Sequence, residues 1–153
     1  MNVLIDTNIV GRIVEVGHAQ HRVASDATAA LRHRGDTLCL VPQVLYEFWV
    51  VATRPVAQNG LGFTAAQADA EITKLQTLFS LLPDTAGIFG EWHRLVVTHQ
   101  VLGKNAHDAR LVAAMAVHGI THLLTFNTGH FSRYPGITAL DPAALAGPPA
   151  TTP

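Results

Sequence analysis

Residues 1–10 read MNVLIDTNIV, and this opening decides how the rest of the chain is parsed. Val3-Leu4-Ile5 is an uninterrupted apolar run, the pattern of a central strand covered on both faces rather than a half-exposed one. Asp6-Thr7-Asn8 follows at once, three residue types that cap helices, and predicts a short helix reaching about Val16. A buried strand feeding directly into a helix is the first half of a βαβ unit.

The pattern then repeats. A helix is expected from about Ala19 to Arg34, with Val23, Ala27, Ala30 and Leu31 inward and Gly35 at its stop. Leu38–Val41 reads as a second buried strand, and Pro42 suits the first turn of a helix carrying Val44, Leu45, Phe48 and Val51. Asn59-Gly60-Leu61-Gly62 is a connection, not a domain linker. Thr64 with Gln67 forms a capping-box signature for a helix to about Ser80. Leu81-Leu82-Pro83 suggests a short edge strand. Ile88, Trp92, Leu95 and Val96 mark an amphipathic helix to about Gln100. Asn105 and Asp108 look like the cap and first turn of a nearly all-apolar helix, Ala109 to His118, and strands are expected at Thr121–Thr125 and Ile137–Leu140. The result is one α/β domain over residues 1–141, three layers deep with a mostly parallel five-stranded sheet, and a Pro/Ala/Thr-rich tail, 142–153, expected to be disordered.

Composition supports a packed domain and excludes several classes. Of 153 residues, 48% are hydrophobic and 14% charged, enough apolar material to offset the entropy of ordering. No run approaches the ~20 apolar residues that cross a bilayer, and MNVLIDTN has neither the basic nor the apolar part of a signal peptide. The single cysteine, Cys39, sits in an apolar run and fits a reducing, cytoplasmic compartment. A net charge of −1 offers no bulk attraction to nucleic acid or membrane, so any polyanion must be drawn by a local site.

In a doubly covered parallel sheet, ligands bind beyond the carboxyl ends of the strands. Asp6, after the first strand, and Thr125-Phe126-Asn127, after the fourth, occupy such positions. Alone, Asp6 reads equally as a helix cap and Asn127 as a turn residue. Glu47 is the one charge between Asp36 and Arg54, set among Val44, Leu45, Tyr46, Phe48, Trp49 and Val50. It is either a carboxylate held at a site, or the exposed edge of an amphipathic helix shared with Gln43 and the Tyr46 hydroxyl. Asp108 suits a helix N-terminus electrostatically, yet it projects from an element that is otherwise buried. Three carboxylates brought together repel one another unless a cation joins them, and an all-oxygen set selects a hard ion such as Mg²⁺ or Mn²⁺; no Cys/His spacing here matches zinc. Spacing cannot show that Asp6, Glu47 and Asp108 meet.

MNVLIDTNIV, VPQVLYEFWVVATRP and NAHDARLVAAMAVHGITHLLTFNTGHF, in that order, resemble the PIN-domain nucleases, especially the toxin ribonucleases called VapC. The resemblance runs from Met1 to about Leu140. It implies Mg²⁺- or Mn²⁺-dependent hydrolysis of single-stranded RNA leaving 5′-phosphate and 3′-hydroxyl ends, a small antitoxin partner, a homodimer and no membrane association. It places Asp6, Glu47 and Asp108 at the family's three acidic metal positions, with Thr7 and Asn8 completing an Asp-Thr-Asn signature. Many members carry a fourth acid where this chain has Asn127, and His130 stands where another aspartate often precedes Phe131. The implied consequence is one firmly held ion, with Asn127 assisting and a second ion arriving with substrate. Arg12, Arg54, Lys104, His107 and Arg110 are the candidate phosphate contacts. The competing readings are a degenerate PIN domain that binds RNA or protein without cutting, and a phosphoacceptor domain. The second is disfavoured by the lack of a paired acid beside Asp6.

Overall fold

The computed structural model describes residues 1–147. In chain order the elements are β1 (Asn2–Ile5), α1 (Thr7–Val14), α2 (His21–His33), β2 (Thr37–Leu40), α3 (Pro42–Thr53), α4 (Ala65–Leu78), β3 (Ser80–Leu81), α5 (Gly87–Thr98), α6 (Asn105–Val117), β4 (His122–Leu124), β5 (Thr138–Leu140) and α7 (Pro142–Leu145), with 3₁₀ turns at Val56–Gln58 and Thr128–Phe131. The strands form one sheet in the order β3-β2-β1-β4-β5, and every pairing is parallel. The expected α/β fold is thus found, with a sheet that is wholly rather than mostly parallel.

β1 is the centre of this sheet. Val3, Leu4 and Ile5 are each 0% exposed although successive side chains point to opposite faces, so both faces are covered. The cover comes from α1 packed on α2 and α3 and from α6 packed on α5. Ala109, Ala113, Ala114 and Met115 of α6 are completely buried, which explains why that helix carries almost no polar face.

Several boundaries differ from the sequence reading for local reasons. α1 stops at Val14, with the Glu15 N–H returned to Gly11, and leaves Val16 72% exposed. α2 buries Ala24, Ala27, Thr28 and Leu31, a face rotated slightly from the expected one. Val41 lies outside β2 because it is the extended residue that enters α3. The Thr64–Gln67 capping box is present in both directions. Asn105 is not the cap of α6: Lys104 occupies that position and makes no side-chain cap bond. The expected disordered tail needs correction at its start. Asp141 caps a short helix by accepting from the Ala143 N–H at 2.9 Å, Pro142 supplies the preset first turn, and α7 packs on α2. The remainder of that expectation, residues 148–153, lies outside the described residues.

The order β3-β2-β1-β4-β5 runs one way from β1 to β2 and the other way from β1 to β4. The crevice between the carboxyl ends of β1 and β4 is therefore the switch point where such sheets bind ligands. Its walls depend on a tightly filled centre. Leu4→Ala should lower unfolding free energy by about 2–5 kcal/mol, whereas Leu81→Ala, at a 40% exposed edge position, should cost under about 1 kcal/mol; urea midpoints at unchanged m-value check both.

Candidate functional site

Asp6 follows β1 directly and caps α1. Its Oδ1 accepts from the Thr7 N–H at 2.7 Å, and its Oδ2 accepts from the Thr125 hydroxyl at 2.8 Å. Thr125, at the end of β4, is 0% exposed. Its hydroxyl oxygen also accepts from Asn8 Nδ2 at 3.1 Å and from the Asn127 N–H at 3.0 Å. Asn8 closes the bracket by taking the Phe126 N–H on its own Oδ1 at 3.2 Å. The Asp-Thr-Asn signature thereby ties the end of β1 to the end of β4.

Glu47 reaches the same place from α3. Thr7 Oγ1 donates to its Oε2 at 2.6 Å and Gln43 Nε2 to its Oε1 at 2.9 Å. Glu47 is half-buried, and Gln43 is buried rather than part of a solvated edge. Gln43 also donates to the His107 carbonyl at 2.8 Å, while its Oε1 accepts from Arg110 Nη1 at 3.0 Å; Arg110 is in turn paired with Asp84 at 3.3 Å. This chain braces α3 against the first turn of α6, the turn that carries Asp108. Asp108 is half-buried with His130 Nδ1 3.7 Å away. Asn127 is exposed at the entry to a 3₁₀ turn.

Asp6, Glu47, Asp108 and Asn127 line a single pocket of about 420 Å³, together with Thr7, Asn8, Arg12, Arg54 and Asn59. Burial, above all, pushes the Asp6 carboxyl up to about 6; hydrogen bonds from Thr125 and Thr7 oppose the rise, and the nearby charges of Glu47 and Asp108 add to it. Burial likewise raises Asp108, with His130 opposing and Glu47 reinforcing. The three carboxylates of this pocket thus raise one another's cost of ionisation, and their oxygens are ligands of the kind a hard divalent cation takes. Among the described residues, no three His, Cys, Asp or Glu side chains are gathered closely enough to hold an ion as they stand. Asp6 and Glu47 instead rest on neutral donors from Thr7, Thr125 and Gln43.

The sequence model of the PIN domain matches residues 3–137. The chain belongs to the PIN-domain family. This is a nuclease family that includes the VapC-type toxins. Solved PIN structures share its fold at low identity. VapBC2 from Rickettsia felis, crystallised on a DNA fragment from its promoter, superposes with a TM-score of 0.69 at 14% identity over 92% of this chain and 98% of that one. VapC20 from Mycobacterium tuberculosis, described as a Sarcin-Ricin loop cleaving toxin, gives 0.63 at 20% identity over 85% and 93%. VapBC-1 from nontypeable Haemophilus influenzae gives 0.65 at 16% over 93% and 98%. No curated protein matches the chain.

Sequence reasoning missed the parts of this PIN pocket that hold its acids in place. Thr125 was visible only as the end of a strand, and nothing in its neighbours signals a threefold hydrogen-bond hub. Gln43 had a signal, since it stands one helical turn before Glu47, where an amide can meet a carboxylate. Lys104 and His107, both candidate phosphate contacts, do not line the pocket, and Arg110 serves Gln43 and Asp84 instead.

The raised Asp6 pKa fixes a direction for stability. The folded chain binds this proton more tightly than the unfolded chain, so metal-free protein should lose stability as pH rises from about 4 to about 6, the reverse of a salt-bridged carboxylate. Asp6→Asn should flatten that slope and raise metal-free stability at neutral pH by on the order of 1–3 kcal/mol. Urea unfolding in EDTA across this pH range measures both, and a wild-type midpoint that climbs with pH would contradict the assignment.

Proposed function

We propose that this chain is a VapC-type toxin: a cytoplasmic endoribonuclease, dependent on Mg²⁺ with Mn²⁺ as substitute, that hydrolyses phosphodiester bonds in single-stranded RNA. The observation that carries the reading is the meeting of Asp6, Glu47 and Asp108 with Asn127 in one pocket at the β1/β4 switch point. Asp6, Glu47 and Asp108 are the residues that would hold the ion. A divalent cation bound there supplies positive charge to the scissile phosphate and to the water that attacks it. Thr7 and Thr125 orient the Asp6 and Glu47 carboxylates, and Gln43 holds Glu47 beside the first turn of α6. Water adds to phosphorus and the 3′ oxygen leaves, giving 5′-phosphate and 3′-hydroxyl products. Asn127 can offer its amide oxygen to the ion or hold a water, but it supplies no negative charge, which fits one firmly held ion better than two.

A small antitoxin is the partner this reading implies, and the VapBC pairs among the structural neighbours, with a toxin–antitoxin complex from Klebsiella pneumoniae, support it. Exposed apolar side chains on α3 and α5, including Tyr46, Trp49 and Phe89, provide surface for antitoxin and for a homodimer. No helix among the described residues is long and apolar enough to cross a membrane. A second reading, RNA or protein binding without cleavage, draws on Asn127 and on His130 beside Asp108, which place neutral or cationic groups where further acids would strengthen the metal site.

Antitoxin-free protein should cut labelled single-stranded RNA in Mg²⁺ or Mn²⁺ and not in EDTA. Asp6→Ala and Asp108→Ala should each lower the rate by about 10²–10⁴-fold, the loss of several kcal/mol of charge stabilisation. Metal-independent cleavage, or full activity in both variants, rules the site out; folded protein that binds RNA and never cuts it establishes the second reading. Asn127→Asp should shift the Mg²⁺ titration of activity to lower concentration, and an unchanged titration would remove Asn127 from the ion's surroundings.

A further inference from the structure

The chain carries a net charge of −1 and its pocket is lined by three carboxylates, so a polyanion needs a specific cation to dock there. Five side chains, Arg12, Arg54, Lys104, His107 and Arg110, are candidate phosphate contacts, and their surroundings separate them. Arg12 lines the pocket but is committed to Glu15 at 3.2 Å and to Gln20 at 3.1 Å. Arg110 is committed to Asp84 and Gln43, and Lys104 and His107 lie outside the pocket lining. Arg54 lines the pocket and forms no ion pair among the described residues; its side chain makes one bond, from Nη2 to the Asn59 carbonyl at 3.2 Å. Its Nε–H is shielded from solvent, out of a ligand's reach, and has no acceptor among the described residues. Nη1 makes no bond among them, and Nη1 with the remaining hydrogen of Nη2 forms the outer edge of a guanidinium, which can grip two oxygens of a phosphate at once.

The backbone around Arg54 is clamped on both sides. Its N–H closes α3 on the Val50 carbonyl at 3.1 Å, and its carbonyl accepts from the Gly62 N–H at 2.9 Å. The segment beyond it folds back on the same helix, with the Leu61 N–H on Val51 at 3.0 Å and the Phe63 N–H on Ala52 at 2.8 Å. Asn59 takes a left-handed conformation, φ 62°, which brings its carbonyl to Arg54. Gly60 passes so close that a Cβ there would lie 1.9 Å from the Arg54 carbonyl oxygen, a position only glycine can hold. This turn holds the Arg54 backbone at the pocket and leaves its guanidinium without an ion-pair partner among the described residues.

We propose that Arg54 is the phosphate-binding residue of this site, gripping a backbone phosphate of the RNA beside the bond that is cut. The inference rests on the reading of the pocket as an RNA site. Its role is substrate binding, separate from the acids, so its loss weakens association and raises KM more than it lowers kcat.

The test measures affinity for a fluorescein-labelled single-stranded RNA by anisotropy, in Ca²⁺ at several salt concentrations, and cleavage of the same RNA in Mg²⁺. Wild type is compared with Arg54→Gln, Arg54→Lys and Lys74→Gln, the last removing one charge from a residue outside the pocket, and thermal melting checks each fold. Arg54→Gln should weaken binding about tenfold, as expected for one charge-assisted contact, and reduce the slope of log affinity against log salt by about 0.7, the loss of one phosphate contact on a single strand. Arg54→Lys should keep the wild-type slope and recover part of the affinity, because it keeps the charge and loses the fork. If Arg54→Gln does not fold, Arg54→Lys decides: weaker binding at unchanged slope supports the contact, and wild-type affinity overturns it. Affinity and slope in Arg54→Gln equal to those of Lys74→Gln, with RNA still bound, overturn the inference and leave the nuclease reading intact. Arg54-dependent binding by a wild-type protein that never cuts retires hydrolysis and keeps the inference. Wild-type protein that neither binds nor cuts RNA overturns both.

Discussion

The bond from the buried Thr125 hydroxyl to Asp6 is the contact on which the rest of the site depends. It joins the carboxyl ends of the two strands that flank the switch point, and it does so with a group that can donate to one partner while accepting from two others. Removing a carboxylate as buried as Asp6 from water is costly unless hydrogen bonds replace the lost hydration. Here the Thr7 N–H and the Thr125 hydroxyl replace part of it, and the remaining deficit shows as a carboxyl that holds its proton to about pH 6. Both oxygens of this residue are engaged by the fold: Oδ1 caps α1 and Oδ2 ties the end of β1 to the end of β4.

A deficit of this kind is tolerable only in a stiff surround. The central strand contributes three fully buried side chains in a row, and α6 presents an apolar surface nearly all round. Against that background the polar brace from Asp84 through Arg110 and Gln43 to Glu47 acts across elements rather than within one. Gln43, itself on α3, meets Glu47 and the His107 carbonyl of α6 at once, so hydrogen bonds hold Glu47 beside the first turn of α6. The acids are therefore positioned from three directions: the end of β1, the middle of α3 and the first turn of α6.

Membership of the PIN-domain family follows from the match over residues 3–137, and the neighbours with TM-scores of 0.63 to 0.69 at 14–20% identity show how far the fold persists when sequence does not. In this chain Asn127 and Arg54 line the pocket at the switch point, and a glycine turn clamps the Arg54 backbone.

The sequence by itself determined the alternation of strands and helices, the identity of the central strand, the capping box at Thr64 and the three acids as candidates. These are legible because periodicity, caps and an isolated charge in an apolar run are local physical signals. It did not determine that α7 continues the domain past Leu140, since Asp141-Pro142 is a strong helix start inside a composition that otherwise suggests a loop. Nor could it decide whether Asp6 meets Thr125, whether Gln43 is solvated or buried, or which of the five candidate phosphate contacts line the pocket. Those questions turn on contacts between residues 40 to 120 positions apart, such as Thr7 with Glu47 and Asp6 with Thr125. Only the strand order brings them within hydrogen-bonding range, and strand order is a property of the packed sheet, not of any stretch of chain.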